Sequence, residues 1–245
     1  MPNDPIPAAT LILIRDRAAG PPDLLVVERA KAMAFAGGAM VFPGGRIDPG
    51  DRAAAAGDDD RAARIAAIRE TIEEAGVAVG IVPPPSPALL ATIRRRLHDG
   101  EPFAAILADA GLTLDLDALV PFARWLPAHA HMRIFDTLFF LARAPDDAAP
   151  TVDETETVRL AWTGARALLD DADAGRATII YPTRRNLERL ARFASHADAV
   201  ADAAANPVRT ITPFVEERDG VPHLCIPADC GYPVTGEPMS AAMRG

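Results

Sequence analysis

Residues 69–77 read Arg-Glu-Thr-Ile-Glu-Glu-Ala-Gly-Val and combine a dense group of carboxylates with the residue type that most often ends a helix. On a helix, Glu70, Glu73 and Glu74 stand at i, i+3 and i+4, so their side chains share one face within reach of a common cation. Like charges at this spacing destabilise a bare helix by roughly a few tenths of a kcal/mol per pair. A divalent cation offsets that repulsion directly, which makes this face a candidate metal site.

The same helix has an apolar side. Three isoleucines fall on roughly the opposite face and give the helix a surface to bury: Ile65, Ile68 and Ile72. Asp59 and Asp60 provide an N-cap and a negative charge that favours a helix start. The pattern therefore predicts a helix from these aspartates to about Ala75, where Gly76 ends it.

A glycine-rich turn precedes the helix. The turn reads Phe42-Pro43-Gly44-Gly45, and residues 46–60 after it are acidic and rich in turn-forming types. Glycine lets the backbone approach other groups closely, so Gly44 and Gly45 are suited to lie beside the carboxylate face. We expect the turn and the helix to form one site.

Bulk composition narrows the class of protein. The 245 residues carry a formal net charge of −9 and a pI near 5.0, which argues against a nucleic-acid-binding surface. No apolar run approaches membrane-spanning length, so we expect a soluble cytoplasmic protein with no membrane partner. Cys225 and Cys230 complete no zinc-binding pattern and are expected to be reduced thiols.

The chain reads as one domain over residues 1–245, built from a sheet and helices. Strands are predicted at residues 8–14, 24–28, 119–126, 133–143 and 158–162. Two helices at about 86–112 form an insertion, and a helix capped by Thr163 runs to Asp171. A C-terminal extension at about 183–245 starts with a helix capped by Thr183 that runs to about Ala204. It ends in a hairpin around Asp219-Gly220.

The turn and the helix together resemble the signature of the Nudix hydrolases, in which a Gly-Gly turn precedes an Arg-Glu helix ending in Glu-Glu-x-Gly. Asp51 stands where that family usually has Glu, and no role in the site is assigned to it. Seventeen residues, 52–68, separate it from Arg69, which is more than the signature usually has. Such an insertion can loop out into solvent without disturbing the carboxylate face.

Three further segments narrow the resemblance to one branch. The lead-in from Leu24 to Arg29, followed by Gly38 and Phe42 to Gly45, looks like the motif that precedes the signature in coenzyme A diphosphatases. Ala34 stands where that motif usually has a second Arg. Residues 133–137 and 187–195 also look like the peroxisomal coenzyme A diphosphatase branch.

The resemblance implies an α/β fold, a Nudix-type α/β/α sandwich with a mixed sheet. It also implies hydrolysis of a diphosphate linkage that depends on Mg²⁺ or Mn²⁺, ions that prefer carboxylate oxygens and bridge phosphates. The implied metal ligands are Glu70, Glu73, Glu74 and the backbone carbonyl of Gly45. The substrate is expected to be a small-molecule diphosphate, and homodimers are common in the family.

Other residues have candidate roles in catalysis or substrate binding. Arg69 is expected to orient carboxylates, and the general base is one of the glutamates, Glu73 or Glu74 among them, or a distant acid such as Glu156. Gly44 is expected to contact the substrate. Arg29 either contacts a substrate phosphate or forms an ion pair. Arg133 either binds substrate or pairs structurally with Asp136.

The sequence is compatible with three functions. The favoured one is cleavage of coenzyme A or an acyl derivative at its diphosphate. A second is hydrolysis of ADP-ribose, a dinucleotide or NADH. A third is a nucleotide-sensing module without catalysis, although a sensor has no need of three mutually repelling carboxylates on one face.

Overall fold

The structure, a computed structural model, describes residues 4–31, 36–127, 134–152 and 157–242. Within these ranges, eight strands form the main sheet, three form a C-terminal sheet, and two form a small ribbon. The strands are β1 (Ile6–Arg15), β2 (Asp23–Arg29), β3 (Met40–Val41), β4 (Gly44–Arg46), β5 (Ile81–Val82), β6 (Thr113–Leu114), β7 (Val120–Trp125), β8 (Phe135–Arg143), β9 (Thr157–Gly164), β10 (Thr210–Ile211), β11 (Phe214–Arg218), β12 (Val221–Cys225) and β13 (Gly236–Pro238).

The main sheet is mixed. Its strands run in the order β10-β7-β8-β1-β2-β3, with β4 also paired to β1 and β9 also paired to β2. The central β1–β8 pair is parallel, whereas β1–β2, β1–β4 and β7–β8 are antiparallel. Because both β2 and β4 pair with β1, the glycine-rich turn is held at the middle of the sheet.

Eight α-helices are present in the described part of the chain. They are α1 (Pro49–Ala54), α2 (Asp59–Ala75), α3 (Pro87–His98), α4 (Phe103–Asp109), α5 (Ala165–Asp173), α6 (Tyr181–Leu190), α7 (His196–Ala205) and α8 (Met239–Ala242). The two helices predicted within residues 86–112 are α3 and α4.

Alternating side chains of β1 feed two hydrophobic cores. Leu11 and Leu13 pack with α2, α3 and α4 on one face of the sheet. Ile12 and Ile14 pack with α5, α6 and α7 on the other face. The period of two in a strand that is buried on both faces therefore produces a three-layer arrangement. This confirms the expected α/β/α sandwich with a mixed sheet.

The C-terminal hairpin forms where the sequence predicts it, with β11 and β12 joined at Asp219-Gly220. Tyr232, which follows this hairpin in the sequence, packs in the second core. The indole N–H of Trp125 donates to the Tyr232 hydroxyl at 3.1 Å, and that hydroxyl donates to Asn186 Oδ1 at 2.6 Å. Cys225 and Cys230 are both buried and free.

The predicted C-terminal helix is wrong in its extent. It is broken into α6 and α7 at residues 191–195, where the Ser195 side chain accepts from the Asp198 N–H and starts a new helix. Thr183 lies inside α6, whose N-cap is Ile180. The apolar stripe of Leu187, Leu190 and Phe193 continues past the end of α6, so the apolar spacing does not mark the break.

Two other predicted caps lie one residue or more from the observed ones. Thr163 belongs to β9, and α5 starts after Gly164. The N-cap of α2 is Asp58, whose side chain accepts from the Arg61 N–H. Within the described ranges, no helix combines the length and apolar character needed to cross a membrane.

The apolar face of α2 lies against the sheet as predicted, and Ile68 is fully buried in the first core. We expect Ile68→Ala to lower the free energy of unfolding by about 2–5 kcal/mol, because it leaves a cavity that the close-packed core fills only in part. Denaturant titration measures this change. Val82→Ala, at a side chain that is 48% exposed, is the control and should change stability by no more than about 0.5 kcal/mol. Equal effects at both positions would contradict this account of the core.

Candidate active site

The glycine-rich turn meets α2 through one backbone-to-side-chain hydrogen bond and one close approach, and it lies equally close to β1. The Gly44 N–H donates to Glu74 Oε2 at 3.0 Å. A Cβ at Gly45 would lie 2.4 Å from the Glu70 carboxylate carbon, and one at Gly44 would lie 2.5 Å from the Ala9 carbonyl oxygen. A side chain at Gly44 is excluded because it would meet the β1 backbone, and a side chain at Gly45 would have to displace the Glu70 carboxylate.

Arg69 is the cation around which the acidic groups gather. Its side chain is buried and forms a two-pronged contact with Asp51, at 3.1 Å from Nε to Oδ1 and 2.9 Å from Nη2 to Oδ2. Nη2 also donates to the Arg46 carbonyl at 2.9 Å. The guanidinium thus joins α1, β4 and α2.

The same guanidinium holds two of the predicted ligands side by side. Arg69 Nη1 donates to Glu70 Oε1 at 2.9 Å and to Glu73 Oε2 at 2.7 Å. Burial raises the pKa of Glu70 to about 7 and also raises the pKa of Glu73, while the charge of Arg69 opposes both shifts. Burial works against the charge of Arg69 as well, yet its hydrogen bond to Asp51 and the nearby carboxylates leave its pKa raised.

Glu74 occupies a separate part of the site. Its side chain is only 4% exposed, and Oε2 accepts the Gly44 N–H. Oε1 lies 3.7 Å from Arg29 Nη1, at the end of β2. Arg29 therefore forms an ion pair, which is one of its two expected roles. Its partner in that pair, Glu74, is a predicted metal ligand.

The described residues do not gather three acidic, histidine or cysteine side chains around one point, so the predicted three-glutamate cluster is only partly assembled. Glu70 and Glu73 approach one Arg69 nitrogen together, whereas Glu74 is directed to Gly44. The donor chemistry nevertheless fits Mg²⁺ or Mn²⁺, which bind hard carboxylate oxygens. Because Gly45 has no Cβ, its backbone lies directly beside the Glu70 carboxylate.

Two predicted site residues, Arg133 and Glu156, lie outside the described residues. The expected pair of Arg133 with Asp136 therefore stays a prediction, and the Asp136 carboxylate is bound by Arg124. Arg124 Nε lies 2.8 Å from Asp136 Oδ1, and Arg124 Nη2 lies 2.6 Å from Asp136 Oδ2. The partner sits on the neighbouring strand β7, a placement that sequence spacing does not reveal.

Asp51 is the site residue that sequence reasoning missed. The residues after it were expected to loop into solvent, yet α1 forms at Pro49–Ala54 and Asp51 is 2% exposed. Its Oδ2 also accepts the Asp48 N–H at 2.9 Å, which caps α1. The sequence did contain a signal for Asp51, because it stands at the position of the signature where the family usually has Glu.

Removing the charge of Asp51 should be costly. We expect Asp51→Asn to lower the free energy of unfolding by about 3 kcal/mol, the lower end for a broken buried pair, because Glu70 and Glu73 still face Arg69. Thermal or denaturant unfolding measures this loss. Asp146→Asn, in an exposed pair with Arg143, is the matched control and should shift stability by no more than about 0.5 kcal/mol. A loss at Asp51 no larger than at Asp146 would mean that the pair with Arg69 does not support the fold.

Known proteins resemble this chain in both sequence and structure. Residues 52–190, more than half of the chain, match the family model described as the NUDT19 Nudix domain. Human acyl-coenzyme A diphosphatase NUDT19 is 26% identical over 269 residues, covering 84% of this chain and 71% of that protein. The putative nudix hydrolase 7 of Caenorhabditis elegans is 28% identical over 69% of this chain, which spans just over half of that relative, 56%.

A solved structure agrees with the architecture. The crystal structure of a NUDIX hydrolase from Alicyclobacillus acidocaldarius is 32% identical to this chain and superposes with a TM-score of 0.72. The match covers 81% of this chain and 96% of that one. Together with the Arg69-centred glutamates and the glycine-rich turn, these matches establish that the chain belongs to the Nudix hydrolases, in the family of the NUDT19 Nudix domain, and is a diphosphate hydrolase.

Proposed function

We propose that this protein hydrolyses the diphosphate linkage of coenzyme A or an acyl-coenzyme A, using Mg²⁺ or Mn²⁺. The observation that carries the hydrolytic part is the pair of carboxylates, Glu70 and Glu73, held on one Arg69 nitrogen beside the Gly45 backbone. The substrate rests on the lead-in from Leu24 to Gly45 and on the name of the human relative.

Glu70, Glu73, Glu74 and the Gly45 carbonyl would hold the metal in this proposal. A bound divalent cation neutralises phosphoryl oxygens and lowers the pKa of a coordinated water. Arg69 acts as a positioning residue, because each of its donors is already engaged by Asp51, Arg46 or the glutamates.

The proposed reaction is a hydrolysis at one phosphorus atom. The oxygen of water forms a new bond to that phosphorus. The bond between the same phosphorus and the bridging oxygen breaks. The bridging oxygen leaves with the second phosphate, and the proton of the water passes to a general base. The products are an adenosine bisphosphate and a phosphopantetheine, or its acyl derivative.

The base and the substrate contacts are assigned as follows. Glu73, Glu74 or Glu156, which lies far from them in the sequence, accepts the proton. Arg29, at the end of β2 and 3.7 Å from Glu74, faces the place where the diphosphate must meet the carboxylates. Gly44 contacts the substrate through its backbone, and Arg133 is retained as a further phosphate contact.

Glu73→Gln tests the hydrolytic assignment. We expect kcat/KM to fall by on the order of 100-fold or more, because the substitution removes a charged ligand or the base while preserving shape. Purified protein is incubated with Mg²⁺ or Mn²⁺ and a panel of coenzyme A, acetyl-coenzyme A, ADP-ribose, NADH and a dinucleoside diphosphate. Mass spectrometry identifies the products, and titration calorimetry with Mn²⁺ reports metal binding apart from turnover.

Glu101→Gln is the matched control, since Glu101 pairs with Arg96 on the surface of the helical region and should leave activity unchanged. If no compound is turned over and wild type matches Glu73→Gln, the hydrolase assignment at this site is wrong. Turnover of ADP-ribose without turnover of either coenzyme A substrate would exclude only the proposed substrate.

A further inference from the structure

The C-terminal end of α2 carries an unfavourable charge arrangement. Its last turn contains Glu73 and Glu74 and no basic residue of its own. The partial negative charge at a helix C-terminus disfavours acids there, and the last carbonyl groups need hydrogen-bond donors from elsewhere. The helix therefore depends on other segments to hold its last turn in place.

Arg94 of α3 supplies the missing cation. Its Nε donates to the Glu73 carbonyl at 2.9 Å, and its Nη2 donates to the Glu74 carbonyl at 3.2 Å. His98, one turn further along α3, places Nε2 3.2 Å from the Glu73 carbonyl. The planar fork of the guanidinium donates to both carbonyls in one fixed geometry, whereas the donors of an ammonium group rotate freely.

A third segment completes this end of the helix. Arg94 Nη1 donates to Thr151 Oγ1 at 2.7 Å, and the Thr151 N–H donates to the Ala75 carbonyl at 3.0 Å. The Gly76 N–H donates to the Ile72 carbonyl at 2.9 Å. All four carbonyls of the last turn thus receive a hydrogen bond. Two of them accept from Arg94, and the Glu73 carbonyl also lies within hydrogen-bond distance of His98.

Gly76 makes room for this contact. It adopts the left-handed conformation with φ of 63°, and a Cβ there would lie 3.1 Å from Arg94 Nη1 and 3.0 Å from Thr151 Oγ1. The helix-ending glycine therefore serves two purposes, a positive φ and space for a guanidinium from another helix.

We propose that Arg94 is a positioning residue for the metal-binding carboxylates, and that α3 is a working part of the active site. Arg94 holds the backbone of the two residues whose side chains, Glu73 and Glu74, are assigned to the metal. It acts through those carbonyl groups and touches neither metal nor substrate. The inference rests on the metal site of the proposed function.

The neighbouring Arg96 provides a matched comparison. It lies on the same helix but pairs with Glu101 and Asp109, both within the α3–α4 region, at 2.7 Å each. Arg94→Met and Arg96→Met therefore remove the same side chain from the same helix, and only the first removes contacts to α2. Arg94→Lys keeps the charge but loses the fork.

The test measures Mn²⁺ binding by calorimetry or by the electron paramagnetic resonance signal of free Mn²⁺, together with melting temperature, kcat and KM. For Arg94→Met we expect Mn²⁺ affinity to weaken by about 10–100-fold, the effect typical of residues that orient metal ligands. kcat should fall with little change in KM. Arg94→Lys should recover part of the loss, and Arg96→Met should bind Mn²⁺ like wild type.

Several outcomes would overturn the inference. If Arg94→Met lowers only the melting temperature, with Mn²⁺ affinity and kcat equal to those of Arg96→Met, the residue is merely structural. If Arg94→Met does not fold, Arg94→Lys decides, and wild-type Mn²⁺ affinity in that variant rejects the proposal. A wild-type protein that neither binds Mn²⁺ nor hydrolyses any diphosphate defeats the proposed function and this inference together. An active wild type with unaffected Arg94 variants defeats this inference alone.

Discussion

The buried guanidinium of Arg69 is the interaction on which the rest of the site depends. It draws Asp51 from α1, the Arg46 carbonyl from β4 and two glutamates from its own helix to one point. A buried cation is stable only when it is paired and fully hydrogen-bonded, and losing a partner of such a pair typically costs about 3–5 kcal/mol. The fold and the carboxylate arrangement are therefore coupled, because the same cation maintains both.

Three arginines from different elements surround the glutamates, and each contacts a different part of them. Arg69 binds the carboxylates of Glu70 and Glu73, Arg29 lies beside the carboxylate of Glu74, and Arg94 binds the backbone behind Glu73 and Glu74. A helix end with two acids is unfavourable by itself. Cations supplied by β2 and α3 offset the negative charge at this helix end, where the proposed metal ligands Glu73 and Glu74 lie.

Local patterns predicted the features that depend on neighbouring residues. The strand at residues 8–14, the isoleucine face of α2 and the Gly76 stop each follow from residue types and spacing within one element. Features that join distant segments could not be predicted in this way. Asp51 meets Arg69 eighteen residues later, and Asp136 meets Arg124 on the neighbouring strand. The break between α6 and α7 was hidden because the apolar stripe continues across it.

Helical spacing placed three glutamates on one face, but their partners decide where each carboxylate points. The Gly44 N–H and Arg29 draw Glu74 towards the turn, while Arg69 draws Glu70 and Glu73 towards α1. Each carboxylate has several oxygen lone pairs, so these contacts leave acceptor capacity for a cation. The protein thus positions the two halves of the proposed metal site through separate contacts. Glu74 is held through the turn before α2, whereas Glu70 and Glu73 are held through Arg69.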